Sequence, residues 1–393
     1  MHSLIGYQSQ FGGKIMSCLI RLIKHFSIVI LLFFFLSACT HLPPRVNRDG
    51  TPQREYSYQP PIKIDDGWQI SSLAKEGVDE GIINDLMRAV LTGKYPNVRS
   101  ILLVKNGNII LEEYFYHYHR YVIQDFRSGG KSVTSELVGI AIDKGFIKGV
   151  NEKLFDYFPE FEKGTNWDKR KDEILLHHVL NMTWGIDQSG PANHAIWYTE
   201  NWITDILNLP LVREPGTQFE YHSAAPALFG PIIEQTSGIP VAEFAKKYLF
   251  EPLKISHYLW YIFPDGSTMT AGALHMRPRD MAKFGYLILS GGQWHGKQIL
   301  SEEWISKSTS AHISAGGYDY GYYWWLGKLN RGNEIIESIL ASGHGGQKIY
   351  VIPKLNLIAV FTSQPDNNPK GHTRISQILT DFVLPAMPVA DSQ

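Results

Sequence analysis

The chain has 393 residues, of which 44% are hydrophobic and 19% are charged, so it can bury a large core and is not disordered. Its 37 Lys and Arg balance 38 Asp and Glu, and this near-neutrality argues against a nucleic-acid-binding protein, which needs many phosphate contacts. Its two cysteines, Cys18 and Cys39, exclude a disulfide framework and a four-cysteine zinc site.

Residues 1–38 are predicted to be a signal peptide. The apolar run 26–36 (FSIVILLFFFL) follows Arg21 and Lys24. Eleven helical residues span roughly 16 Å, too short for a bilayer core of about 30 Å, and a basic segment before a short apolar one is typical of a secretory signal. Residues 36–39 (LSAC) resemble the bacterial lipobox, which makes Cys39 the expected lipidation site. An ordinary signal peptide with a coincidental cysteine is the alternative.

Translation from Met16 would give a signal of more usual length, residues 16–38. In lipoproteins, a residue such as Thr40 after the cysteine, rather than Asp, implies the outer membrane. We therefore expect an exported bacterial lipoprotein that is anchored in the membrane and faces the periplasm. The proline-rich residues 39–65 are predicted to form a lipid-anchored tether. Residues 66–385 are predicted to form a folded domain, and residues 386–393 a tail.

The folded domain begins with a predicted helix and a predicted hairpin. Val78, Ile82 and Leu86 follow helical spacing within residues 78–91. The apolar runs 100–104 and 109–116 are joined by a segment containing Asn106-Gly107, a strong hairpin signal. Residues 132–145 then predict a largely buried helix.

The middle of the chain, to about residue 310, is mostly a helical pattern broken by Pro and Gly. Runs 349–352 and 357–362 predict a late hairpin, and residues 372–383 a final helix. Strands at both ends with helices between them predict an α/β (α+β) fold. We expect an antiparallel sheet built from both termini, flanked by helices, with a mostly helical insertion.

Three short motifs carry the chemistry. The first is Ser128-Gly129-Gly130-Lys131, at the start of the helix predicted over residues 132–145. Serine and lysine three residues apart share one helix face, so the amine can reach the hydroxyl and take its proton. Such a pair is common by chance, but two glycines cost about 1 kcal/mol each in a helix interior and suggest another constraint.

The second motif is Tyr221-His222-Ser223, after the turn signal Pro215-Gly216. A phenol beside an ammonium group can act as a base.

The third motif is His344-Gly345-Gly346-Gln347, before the strand predicted at 349–352. Glycines there would let the backbone N–H groups approach an oxyanion. Taken singly, the second and third motifs are equally compatible with structural roles.

Together the motifs resemble the S-x-x-K, Y-x-N/S and K/H-T/G-G elements of the serine β-lactamase and penicillin-binding-protein superfamily, in the same order. Blocks such as 102–115 (LLVKNGNIILEEYF), 132–145 (SVTSELVGIAIDKG) and 343–353 (GHGGQKIYVIP) resemble its class C-like branch over roughly residues 66–384. That branch includes esterases and 6-aminohexanoate-dimer hydrolases. The resemblance implies a β-lactamase/transpeptidase-like fold.

By resemblance, Ser128 is the acylated nucleophile, Lys131 activates it and Tyr221 shares the proton relay. The backbone N–H groups of Ser128 and Gln347 would form the oxyanion hole. Three further implied positions line the pocket: Ser223, His344 and Gly346. Four more would lie on substrate-contacting loops: Trp184, Asp187, Trp197 and Tyr198. The implied partner is a small-molecule or short-peptide substrate, and neither a cofactor nor a metal is implied.

Two departures from the superfamily bear on the substrate. His344 replaces the usual lysine, whose permanent charge holds the carboxylate of a β-lactam. No E-x-x-L-N segment supplies the deacylating glutamate of class A enzymes, so efficient β-lactamase activity is not expected. The second departure is Gly129-Gly130, which could loosen the serine turn or widen the pocket.

Other classes fit the sequence less well. An α/β-hydrolase is disfavoured because G-x-S-x-G is absent, and a zinc hydrolase because H-E-x-x-H is absent. The pairs His117/His119 and His177/His178 lack a third ligand at a recognisable spacing. The remaining rival is a catalytically weak, penicillin-binding-protein-like binding or cell-wall-associated protein.

Overall fold

A computed structural model describes Arg45, Gln53 and residues 55–163, 167–189, 196–364 and 370–388. The predicted signal peptide, Cys39, most of the predicted tether and the end of the predicted tail lie outside the described residues. No helix among the described residues is long and apolar enough to cross a membrane.

Within the described ranges, the strands form three sheets. In chain order they are β1 (Gln69–Ile70), β2 (Val98–Lys105), β3 (Asn108–Tyr114), β4 (Gln124–Asp125), β5 (Tyr258–Trp260), β6 (Leu274–Met276), β7 (Gln293–Trp294), β8 (Lys297–Gln298), β9 (Ile313–Ser314), β10 (Asp319–Tyr320), β11 (Trp325–Arg331), β12 (Glu334–Gly343), β13 (Gln347–Ile352) and β14 (Leu357–Ser363). The main sheet has the order β1-β3-β2-β14-β13-β12-β11-β10-β9, and a small sheet has the order β4-β6-β5. All neighbours are antiparallel except β1 and β3.

The helices come mainly from the middle of the chain. In chain order they are α1 (Glu80–Leu91), α2 (Gly130–Asp143), α3 (Leu176–Leu180), α4 (Trp202–Asn208), α5 (Phe229–Ser237), α6 (Val241–Ala245), α7 (Pro278–Leu289), α8 (Glu302–Ser308), α9 (Gly371–Ile378) and α10 (Leu384–Ala386). The sheet thus joins β2 and β3 to the late strands β11–β14, with the helical insertion between them. The predicted fold class is confirmed.

The central strands are buried on both faces because two cores sandwich the sheet. In β2 the side chains alternate between them: Leu102 and Val104 belong to one core, Ile101 and Leu103 to the other. The first core also takes residues of α2 and α7, and the second takes residues of α1 and α9. Continuous apolar runs are therefore strands here because both faces are covered.

Two long strands, β11 and β12, were not predicted. Polar residues such as Glu334 and Glu337 interrupt the apolar pattern of β12, whose burial is only partial. Its partner β13, buried at every residue, needs a neighbour on each side, and β12 supplies one of them. The turn through Gly332, which has a positive φ, closes the β11–β12 hairpin. This glycine is the sequence signal that could have indicated the hairpin.

The folded unit starts upstream of the predicted boundary at 66. The larger of the chain's two compact units begins at Glu55. The Tyr56 hydroxyl donates to Glu113 Oε1 at 2.6 Å, and the Tyr58 hydroxyl donates to the Ile110 carbonyl at 2.8 Å. Both tyrosines pack on the second core, so the last part of the predicted tether belongs to the fold.

Candidate active site

Ser128 and Lys131 lie together where a short 3₁₀ turn (Arg127–Gly129) runs into α2. Lys131 Nζ is 3.0 Å from Ser128 Oγ and donates a second hydrogen bond of 2.6 Å to the Ala271 carbonyl. The lysine side chain is 3% exposed. The amine is therefore held in place, out of bulk water, beside the serine hydroxyl.

The turn that carries Ser128 is held in an uncommon conformation. Arg127, the preceding residue, has φ +51°, which is unusual for a residue with a Cβ. Asp125 Oδ1 accepts the Arg127 backbone N–H at 2.8 Å, while Asp125 Oδ2 lies 2.6 Å from Arg127 Nε. Asp125 thus fixes both the backbone and the side chain of Arg127.

Glycines from two distant segments close around this turn. A Cβ at Gly343, the last residue of β12, would overlap the Phe126 carbonyl oxygen. A Cβ at Gly272 would lie 2.9 Å from the Arg127 carbonyl oxygen. Both positions therefore have to be glycine for the strand and the loop to approach the serine turn this closely.

The Gly129-Gly130 pair does not leave empty space. The Phe126 ring occupies the space that a side chain at Gly129 would need, and Gly130 faces the Gly272 backbone and Leu274. The glycine pair therefore makes room for the Phe126 ring and for the loop at Gly272 beside the serine turn.

The second motif lies beside Lys131. The Tyr221 ring centroid is 5.4 Å from Lys131 Nζ, and the ring stacks on Trp325 at 6.0 Å with an interplanar angle of 20°. His222 is buried, and its Nδ1 accepts the Ala225 N–H at 3.0 Å. Burial, with the nearby charge of Lys131, lowers the pKa of His222 to about 3, so this ring is neutral and acts as a local cap.

The third motif reaches the site from the end of the main sheet. His344 lines the cavity, and Gly346 has φ +100° with no room for a Cβ against the Gly371 carbonyl oxygen. Gln347, the first residue of β13, is fully buried. Its side-chain amide donates to the Ser363 carbonyl at 2.7 Å and accepts the Ser363 N–H at 3.1 Å. These bonds lock the start of β13 against β14.

A cavity of about 650 Å³ opens at the serine. Its lining residues are Asp125, Arg127, Ser128, Lys131, Trp197, Ser223, Tyr261, Met269, Ala271, Gly272, Ala273, His275 and His344. Its size is within the range of small-molecule sites, about 300–1,000 Å³. Five of the residues singled out from the sequence are among these: Ser128, Lys131, Trp197, Ser223, His344.

The other predicted substrate contacts lie elsewhere. Trp184 is in the core, edge-on to the His222 ring at 4.8 Å. Asp187 accepts the N–H and the hydroxyl of Ser189 at 2.8 and 2.7 Å, and Tyr198 is 82% exposed. None of the three lines the cavity.

Several lining residues were not anticipated. Arg127 directly precedes the serine and Asp125 lies three residues before it, so their position in the sequence could have suggested a role. Tyr261 and His275 come from the region of the small β4-β6-β5 sheet and carry no local signal.

A metal site is not found in the described part of the chain, where no three His, Cys, Asp or Glu side chains form a group able to hold an ion. His177 instead bonds to the Tyr322 hydroxyl through Nδ1 at 2.7 Å. Burial lowers its pKa to about 4.

The sequence profile of the beta-lactamase family matches residues 99–380, which include all three motifs. The chain belongs to the β-lactamase family. It is 24% identical over 309 residues to the 6-aminohexanoate-dimer hydrolase of Paenarthrobacter ureafaciens, covering 71% of this chain and 76% of that protein. It is thus a β-lactamase-family serine hydrolase of the class C-like type.

Solved structures agree on the fold of this β-lactamase-family chain. The octameric penicillin-binding protein homologue of Pyrococcus abyssi has a TM-score of 0.60 at 19% identity, covering 77% of each chain. EstCE1, a hydrolase with promiscuous acyltransferase activity, has a TM-score of 0.63 at 14% identity, covering 78% of this chain and 98% of its own.

Replacing Asp125 with alanine is expected to lower kcat/KM for an ester about tenfold or more, because Arg127 would lose the contacts that hold its φ and aim Ser128. The measurement is steady-state kinetics together with a thermal melt. Asp168→Ala is the matched control, since Asp168 makes the same backbone and side-chain contacts to Arg170 outside the cavity. Equal losses of activity in both variants would contradict this role for Asp125.

Proposed function

We propose that this protein cleaves an ester or amide bond through an acyl-enzyme on Ser128. The observation that carries the proposal is the 3.0 Å distance between Lys131 Nζ and Ser128 Oγ at the wall of a substrate-sized cavity. A serine hydroxyl is a weak nucleophile until a base takes its proton, and the lysine amine lies at the distance needed.

In the first step Ser128 Oγ attacks the substrate carbonyl carbon and its proton passes to Lys131. The tetrahedral intermediate collapses: the bond from carbon to the leaving oxygen or nitrogen breaks, and the leaving group takes the proton through the Lys131–Tyr221 relay. Water then attacks the acyl carbon, giving one proton to the relay. The bond to Ser128 Oγ breaks, the acid leaves, and the serine regains its proton.

The negative charge on the carbonyl oxygen would be stabilised by the backbone N–H groups of Ser128 and Gln347. The proposal is supported by the rigid setting of Gln347, whose amide is bonded to Ser363. Removing one donor of an oxyanion hole typically costs about 3 kcal/mol of transition-state stabilisation, so such rigidity is functionally valuable.

We propose that β-lactams are poor substrates. The lining residue contributed by the third motif is His344, which lacks the permanent charge of a lysine. Two other basic lining residues already have partners, Lys131 in Ser128 and Arg127 in Asp125. A simple ester or amide needs no such cation.

The test is covalent labelling with a fluorophosphonate probe, followed by mass spectrometry of the labelled peptide. We expect one label per chain on Ser128 and none in Ser128→Ala. Ser132→Ala is the control, because its hydroxyl only donates to the Tyr323 carbonyl. An unlabelled wild type would favour the rival reading of a binding protein without catalysis, whereas a labelled Ser128→Ala would exclude Ser128 as the nucleophile.

We also propose that the protein is an exported lipoprotein anchored through Cys39. Cys39→Ala is expected to move it from the membrane fraction to the soluble fraction and to abolish labelling with a radioactive fatty acid. Cys18→Ala is the matched control, because Cys18 lies inside the predicted signal. Membrane retention and labelling of Cys39→Ala would rule out the anchor.

A further inference from the structure

A stack of three aromatic rings ends at the catalytic cavity. Trp202 and Phe263 are parallel, with centroids 4.2 Å apart and an interplanar angle of 9°. Phe263 and Trp197 follow at 6.0 Å and 2°. The stack therefore runs from the fully buried Trp202 to Trp197, which lines the cavity.

Hydrogen bonds fix the inner end of this stack. The Trp202 Nε1–H donates to Asp265 Oδ2 at 2.8 Å and to Ser267 Oγ at 3.1 Å. Phe263 is 1% exposed, and its backbone N–H donates to the Ser267 carbonyl at 2.8 Å. Because the two inner rings are held in the core, the plane of the Trp197 indole is set before any ligand arrives.

The residues that share the cavity with Trp197 add an apolar surface. Tyr261 and Met269 also line it, and Tyr261 is 51% exposed. Ile262, next in the chain, is 60% exposed. The cavity's carboxylate, Asp125, is paired with Arg127, so this aromatic side favours an uncharged ligand group.

We propose that the cavity takes esters or amides that carry an aromatic or other planar apolar group, and that this group packs against Trp197. The group extends the existing stack by one ring, since offset parallel rings attract each other in addition to the free energy gained by burying their apolar surface. Tyr261 and Met269 flank the same group. This inference rests on the proposed Ser128 hydrolase activity and deepens it.

The planar group can belong to the acyl part or to the leaving group, and matched substrates distinguish the two. The first set is ethyl acetate, ethyl phenylacetate and ethyl cyclohexylacetate; the second is ethyl acetate, benzyl acetate and cyclohexylmethyl acetate. Hydrolysis is followed by pH-stat titration, which needs no chromogenic leaving group. We expect kcat/KM in one set to be at least tenfold higher for the phenyl compound than for ethyl acetate, with the cyclohexyl compound between them.

Trp197→Ala is expected to abolish the phenyl preference, whereas Trp197→Phe keeps most of it. A tenfold change corresponds to about 1.4 kcal/mol. Tyr198→Ala is the matched control, because this neighbour is 82% exposed and does not line the cavity. Absence of a phenyl preference in the wild type, or a preference unchanged in Trp197→Ala, would overturn the inference while the hydrolase activity stands.

A binding measurement separates the subsite from the chemistry. In the Ser128→Ala background, which cannot form an acyl-enzyme, calorimetry with phenylacetamide and with benzyl acetate reads binding alone. Adding Trp197→Ala to this background is expected to raise the Kd of the tighter-binding of these two ligands at least tenfold. If neither ligand binds, or if affinity is unchanged, the subsite is refuted whether or not the wild-type enzyme hydrolyses esters.

Discussion

Replacing Lys131 with alanine is expected to lower kcat/KM for ester hydrolysis by about 10²–10⁴-fold, the usual contribution of a positioned general base. The reason is geometric: Nζ is 3.0 Å from Ser128 Oγ and is held there by the Ala271 carbonyl. The loss should appear in the acylation rate, measured as the rate of fluorophosphonate labelling as well as by steady-state turnover.

Lys171→Ala is the control for the loss of a buried lysine. Lys171 is 4% exposed and donates to two backbone carbonyls, of Leu207 and Leu209, yet it does not line the cavity. We expect this variant to melt at a lower temperature and to keep its turnover. If kcat/KM of Lys131→Ala were within tenfold of the wild-type value, Lys131 would not be the general base.

Tyr221→Phe probes the relay without disturbing packing. The ring beside Lys131 and the stack on Trp325 remain, and only the hydroxyl is removed. We expect slower turnover with intact folding, because proton transfer to the leaving group or from water loses a partner.

Glu136→Gln is expected to have a higher free energy of unfolding than the wild type, and this difference is expected to be larger at pH 8 than at pH 5. Glu136 lies within α2, and both of its carboxyl oxygens are buried without a hydrogen-bond partner among the described residues. Burial raises the pKa of this carboxyl well above its ordinary value. The folded protein therefore keeps a proton that the unfolded chain releases above a pH of about 4.3.

The sign of the effect follows from this difference in bound protons. Between the unfolded and the folded pKa of Glu136, the folded state holds more protons, so the free energy of unfolding falls as the pH rises, by at most about 1.4 kcal/mol per pH unit. Glutamine keeps the shape and cannot ionise, so the advantage of the variant should widen with pH above the unfolded pKa.

Urea unfolding at pH 5, 6.5 and 8 measures this stability difference. Glu80→Gln is the control, because Glu80 is an exposed helix residue of the same chemistry. Wild type and Glu136→Gln with parallel pH profiles would show that the buried carboxyl finds a partner in the folded protein.

The sequence predicted the central strands well because their burial is nearly complete. In β2 and β14 almost every residue is buried, and a run of apolar residues is then a sufficient signal. The same rule missed β12, where Glu337 and Ser342 lie between buried positions and interrupt the apolar run. Its strand state depends on pairing with β13 rather than on its own composition.

The site was predictable where one short segment holds both partners. Ser128 and Lys131 meet because three residues separate them on a helical turn. The Ala271 carbonyl and the Gly343 backbone reach the same turn from 140 or more positions further along the chain. Such long-range neighbours leave no periodic trace in a single sequence.

The close fit of Gly343 on the Phe126 carbonyl has a consequence for biosynthesis. Ser128 is made 215 residues before Gly343, the difference between the two positions. At about 5–20 residues per second, this delay is roughly 10–40 s. Because the serine turn packs directly on β12, we expect the chain to complete this turn only after Gly343 has been made and β12 has joined the sheet.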